Sequence, residues 1–270
     1  MNPVTRLVEA LVEEAGGNPY LAALIGSSIA ALLTSLGGLS AVLLGPPRRH
    51  EDYERFINVA LTFSSGVMIV ASFTSLLIPS LESYGFKLTI FGFILGALTI
   101  HVLNNAIPHE HFIKGYEGPK GLGSKLRAAW LVALAILIHN IPEGMSIGAA
   151  SAYDVRNGIR LAVAIGVQDF PEGAAVAFPI LLAGGKRRVA LAIAILSGLS
   201  EVIAAVPTTL LAGFSSLLLP VLMGFGAGAM VYVVSNESLP EAYRTGKDTL
   251  ATVGFFLGFI VMLALDVLLG

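Results

Sequence analysis

Two hexapeptides carry the chemistry of this chain. His139-Asn140-Ile141-Pro142-Glu143-Gly144 and Gln168-Asp169-Phe170-Pro171-Glu172-Gly173 share the frame x-x-x-Pro-Glu-Gly. Imidazole, amide and carboxylate groups are donors to divalent cations, and with no cysteine in the chain any metal is held by nitrogen and oxygen. Residues three and four apart are neighbours on a helix. Glu143 stands four after His139 and three after Asn140, and Glu172 stands in the same relation to Gln168 and Asp169. Each glutamate is therefore placed to bridge two adjacent metal positions. His139 and Gln168 face one of these, and Asn140 and Asp169 the other. Glu201, in AILSGLSEVIAAVP, adds a further carboxylate. Carboxylates clustered in this way repel one another. One or two divalent cations neutralise them, and protonation is the alternative, because like charges and burial both favour the neutral acid.

The elements that must position these groups are apolar. Charged residues make up 13% of the 270 residues and the mean hydropathy is +0.81, whereas soluble domains carry about 25% charged residues. The chain is read as an all-α integral membrane protein. A span needs about 20 apolar residues, and eight stretches qualify: 20–44, 56–80, 86–107, 128–150, 159–183, 188–212, 214–235 and 249–269. They form one polytopic domain covering 1–270, with a loop over about 108–127. At a rise of about 1.5 Å per residue, His139 lies about 21 Å from Lys125, and Gln168 about 15 Å beyond Gly158. Both motifs thus fall near mid-bilayer on antiparallel spans. Glu201 is about 20 Å from Arg188 by the same rise. A charged side chain at that depth costs at least about 2.5–3.5 kcal/mol. Pro142 and Pro171 donate nothing to the carbonyls of Ile138 and Val167, and irregular backbone at this depth is tolerated where it lines a cavity.

Basic residues set the orientation. Of the 16 lysines and arginines, 12 fall in one set of loops: Arg48, Arg49, Arg55, Lys114, Lys120, Lys125, Arg127, Lys186, Arg187, Arg188, Arg244 and Lys247. That set is cytoplasmic, which leaves both termini outside. The first residues, with one arginine and three glutamates before Gly16-Gly17, do not read as a signal peptide. Val4, Leu7, Val8, Leu11 and Val12 share a helical face there, as a short amphipathic helix would. A net charge of −2 argues against nucleic acid as a partner.

Outside the two motifs, His109 and His111 flank Glu110 in the flexible cytoplasmic loop and are candidate exit ligands, with Glu237 lining the same exit. Glu82 is a candidate at the entrance, and Met68 and Ser75 are candidates for lining the route. His101, Asn104 and Asn105 read as interhelical hydrogen bonding or as a polar loop mouth. An intramembrane metalloenzyme would need an open metal position and a general base. There is no H-E-x-x-H motif, and each carboxylate available at the motifs is already assigned as a ligand. The alternatives to a carrier are therefore this enzyme and a metal-selective channel.

HNIPEG, QDFPEG, SGLSE and the stretch GAGAMVYVVSNESLPEAYRTGKDTLATVGFFLGF resemble the signature regions of the ZIP (Zrt-/Irt-like) divalent metal transporters of bacterial type. The resemblance covers nearly the whole chain. It implies eight transmembrane helices, extracytoplasmic termini, an inner-membrane homodimer, and a binuclear site between helices 4, 5 and 6. Movement of a helix 1, 4, 5, 6 bundle against helices 2, 3, 7 and 8 would carry the metal inward. By motif, the first position would use His139, Glu143, Gln168 and Glu172, and the second Asn140, Glu143, Asp169, Glu172 and Glu201. Many members have histidine at Gln168 and asparagine at Asp169. Oxygen-rich sites suit harder metals, so Cd²⁺, Fe²⁺ and Mn²⁺ stand beside Zn²⁺ as transported ions.

Overall fold

The computed structural model describes residues 3–47, 49–106, 109–111, 115–117, 128–244 and 246–269. The chain begins with α1 (Pro3–Ala15) and α2 (Pro19–Leu44). Next, α3 (His50–Ala71) runs through a π-helical turn, Ser72–Leu77, into α4 (Ile78–Tyr84), and α5 (Phe86–Ala106) follows. Beyond the loop come α6 (Ala128–Tyr153), α7 (Val155–Leu182) and α8 (Arg187–Phe214). The last run is α9 (Leu218–Val233), a second π-helical turn at Val234–Ser238, α10 (Leu239–Tyr243) and α11 (Asp248–Leu269). Among the described residues, seven helical stretches are long and apolar enough to cross a membrane, and α6 is a further helix of 26 residues.

Helix starts follow local chemistry. Asn18 accepts from the amides of Tyr20 and Leu21 at 2.9 and 3.3 Å with Pro19 in the first turn, so two of the donors a helix start leaves open are used. Asp154 caps α7 through the Asn157 amide at 2.8 Å. The loop expected to be flexible holds one departure from helix. In it, β1 (His109–His111) and β2 (Gly115–Glu117) pair antiparallel, with His109 opposite Glu117. The strands satisfy backbone groups that a bare loop would leave to water.

Both π-helical turns precede a proline that interrupts the hydrogen-bond ladder, Pro79 and Pro240. Pro79 has no N–H for the Ser75 carbonyl. That carbonyl instead accepts from Asn157 Nδ2 on α7 at 2.8 Å. Pro142 and Pro171, by contrast, lie inside uninterrupted α-helix.

The helices pack as two groups, α2 with α6, α7 and α8, and α3 with α11 alongside α5 with α9. The groups meet where α6 crosses α9 and α7 crosses α3. Arg160 on α7 lies 3.2 Å from Asp266 on α11. The amphipathic α1 buries Val8 and Ala15 against this end of the molecule. Arg156 grips Glu9 there with two bonds of 2.6 and 3.1 Å.

Candidate metal centre

Helix α6 presents His139, Asn140 and Glu143, α7 presents Gln168, Asp169 and Glu172, and α8 presents Glu201. The final glycine of each motif explains how these helices come so close. A Cβ on Gly144 would lie 2.7 Å from the Glu201 Cα, and one on Gly173 would lie 3.0 Å from the Thr34 Cα, with the carbonyl oxygens nearer still. Only a residue without a side chain allows backbones to meet at that distance, the device small residues provide between membrane helices. Gly144 therefore sets the α6–α8 spacing at Glu143, and Gly173 sets the α2–α7 spacing at Glu172.

The result is a cluster of carboxylates. One oxygen from each of Glu143, Asp169 and Glu172 lies within 4.8 Å of the others. Asn140, Glu143, Gln168, Asp169 and Glu201 are fully buried. Seven buried oxygens in this cluster meet no hydrogen-bond donor: Asn140 Oδ1, Glu143 Oε2, Gln168 Oε1, both oxygens of Asp169, Glu172 Oε2 and Glu201 Oε2. Asp169 also faces the Glu201 carboxylate of α8. An unpartnered buried polar atom costs about 1–3 kcal/mol, and more if charged. All seven are acceptors, and a divalent cation bonds to such oxygens directly. Carboxylate, amide carbonyl and one imidazole form a donor set that zinc and harder divalent ions accept.

The remaining oxygens are held by the protein. Gln168 Nε2 donates to Glu143 Oε1 at 2.5 Å, so the amide of one motif orients the glutamate of the other. Ser64 on α3 donates a hydrogen bond to Glu172 Oε1. Glu201 Oε1 accepts from Thr34 Oγ1 at 3.1 Å and from Asn140 Nδ2 at 3.2 Å.

His139 turns toward the second helix group. Its Nε2 lies 2.6 Å from Glu237 Oε2, and Asn104 on α5 donates to the other oxygen of Glu237. Glu237 is 1% exposed. It lies in the second π-helical turn, an irregularity that often re-aims side chains at functional sites. The expected exit residue thus touches an expected ligand. The sequence held a signal for this, since Glu237-Ser238-Leu239-Pro240-Glu241 repeats the Pro-Glu frame of the two motifs. Asn104 is the interhelical hydrogen bonder its position suggested, and His101 bonds Tyr232 at 2.8 Å.

The other candidates lie on other elements. Glu82 is exposed at the end of α4. Met68 and Ser75 are buried on α3 and the first π-helical turn. His109 and His111 belong to β1, and their side chains lie outside the described residues. Ser64 and Thr34 escape sequence reading, and Ser197 opens the SGLSE stretch without a role being read for it. Serine and threonine in apolar helices commonly bond their own backbone, as Thr34 also does to the Ala30 carbonyl.

Residues 108–266 match the family model described as ZIP zinc transporter. The chain is 37% identical to "Zinc transporter ZIPB" of Bordetella bronchiseptica over 262 residues, covering 92% of this chain and 81% of that protein. It is 37% identical over 180 residues to "Zinc transporter GufA" of Myxococcus xanthus, covering 66% and 70% of the two chains. It is 32% identical over 255 residues to "Zinc transporter ZupT" of Streptococcus mutans, covering 89% and 94%.

Proposed function

This chain belongs to the ZIP zinc transporter family, and from that premise we propose that it carries Zn²⁺ into the cytoplasm through a two-position site between α6, α7 and α8. The observation that carries this reading is the set of seven buried, donorless oxygens around Glu143, Asp169 and Glu172. Glu143 and Glu172 bridge the two positions. His139 and Gln168 complete the first, and Asn140, Asp169 and Glu201 the second. In this reading Gln168 turns its unpartnered carbonyl oxygen to the ion and keeps its Nε2 on Glu143.

Eight spans follow if α6 joins the seven apolar stretches. The basic loops then face the cytoplasm and both termini face away from it. Of the expected exit groups, Glu237 already meets His139, which supports it as the next station for a departing ion, with His109 and His111 beyond. Cd²⁺, Fe²⁺ and Mn²⁺ are competing cargo for an oxygen-rich site. Phe91, Ile94, Leu98 and Val102 on α5 are exposed, an apolar face for lipid or for the second copy of a homodimer.

Diffraction from crystals soaked in Zn²⁺, recorded at the zinc absorption edge, tests the reading. Two anomalous peaks flanking the Glu143–Glu172 pair are expected. A single peak elsewhere, or none, contradicts it.

A further inference from the structure

We infer that Thr34 and Ser197 are positioning residues for the second metal position, where they turn one oxygen of Glu201 and the carbonyl oxygen of Asn140 toward the ion. The inference rests on the two-position reading above and adds Thr34 and Ser197, which that reading leaves without a role.

Begin with Asn140. Its Nδ2 faces three acceptors: the Ser197 carbonyl at 3.3 Å, the Ser197 hydroxyl at 3.2 Å and Glu201 Oε1 at 3.2 Å. A backbone carbonyl and a carboxylate only accept. The amide nitrogen must therefore point at them, because the flipped amide would set Oδ1 against two oxygens. With the nitrogen fixed, Oδ1 is left buried and without a donor. Ser200 Oγ donates to the same Ser197 carbonyl at 2.5 Å, which tethers this stretch of α8.

Glu201 is held in the same way. Thr34 Oγ1 and Asn140 Nδ2 both reach Oε1, and Oε2 has no donor. The Thr34 hydroxyl has one proton and two acceptors, the Ala30 carbonyl and Glu201 Oε1, each at 3.1 Å. A carboxylate is the stronger acceptor. Two donors on Oε1 leave Oε2 as the oxygen for an ion, so Glu201 binds through a single oxygen. Thr34 is itself fixed in place, because its backbone is the surface on which Gly173 of α7 closes. The residue that orients Glu201 is thus tied by backbone contact to the helix carrying Asp169 and Glu172.

Partners behind a ligand commonly change metal affinity by about 10–100-fold. The test is a Cd²⁺ titration of the purified full-length protein, with bound ions counted by mass spectrometry. The proteins are wild type, Thr34→Val and Thr34→Ser. Wild type and Thr34→Ser are expected to take two ions with matching affinities. Thr34→Val, which keeps the shape and loses the donor, is expected to bind the first ion normally and the second about 10–100-fold more weakly. The inference is overturned if Thr34→Val binds both ions as wild type does. It is also overturned if Thr34→Ser fails as Thr34→Val does, or if either variant loses both ions. A wild type that never takes a second ion defeats the two-position reading itself, a failure visible before any variant is compared.

Discussion

His139 Nε2 and Glu237 Oε2, 2.6 Å apart, join the motif of α6 to the second π-helical turn and so connect the two helix groups at the level of the metal centre. A residue of the α6 motif and a buried carboxylate of the other helix group share one contact. On the proposed route, an ion leaving His139 meets Glu237 next.

Glu237→Gln keeps the size and the hydrogen-bonding capacity of the side chain but removes its charge. Zn²⁺ uptake is expected to fall by about ten-fold, the lower end of what partners of a metal ligand contribute, while the number of ions bound is unchanged. Uptake assays paired with metal analysis of the same preparation check this. Equal loss of binding and uptake would place Glu237 within the central site.

Gly144→Ala and Gly173→Ala each force a methyl group into the backbone of the neighbouring helix. Overpacking of this kind costs about 1–3 kcal/mol. The melting temperature in detergent should drop in both variants, and uptake should drop with it because the helix spacing sets the carboxylate cluster. An unchanged melting temperature in either would show that the crossing is looser than the structure has it.

Asn157→Ala removes the donor that serves the Ser75 carbonyl opposite Pro79. A buried acceptor stripped of its partner costs about 1–3 kcal/mol. Hydrogen exchange around 72–80 should rise more than exchange in α5, and uniform change across both helices would speak against a local role.

The attachment of α1 depends on pH in a stated direction. The bond from Arg156 is the main reason the Glu9 carboxyl titrates below its ordinary value of 4.5, and the nearby positive charge adds to it. The stabilisation is therefore complete above that value and is lost as pH falls through the lower value of the folded state. Glu9 is exposed at its carboxylate, so the effect is small. Proteolysis of α1 should accelerate below about pH 4.5 in wild type and show no such step in Glu9→Gln. A step that persists in Glu9→Gln would assign it to another group.

The apolar helices were readable because hydropathy reports directly on burial in lipid. The Pro-Glu-Gly frames were readable because residues three and four apart must share a helix face. Four features were not. The role of the motif glycines depends on which backbone lies opposite, and no periodicity names Glu201 as the partner of Gly144. The contact between His139 and Glu237 depends on a π-helical turn, whose extra residue re-aims Glu237. Thr34 and Ser64 act on Glu201 and Glu172 across large sequence separations, and their own helices carry no mark of it. The paired strands at His109–His111 and Gly115–Glu117 were also invisible, since three-residue strands are too short to show alternation.

The most direct measurement is the initial rate of radioactive Zn²⁺ uptake by proteoliposomes holding wild type, Glu143→Ala or Glu172→Ala at equal density. In the proposed two-position site, each substitution removes a bridging carboxylate and leaves a cation under-coordinated. The expected result is saturable uptake by wild type and rates close to those of empty liposomes for both variants. Uptake near the wild-type rate in either variant would contradict a transport route through the site these two glutamates bridge.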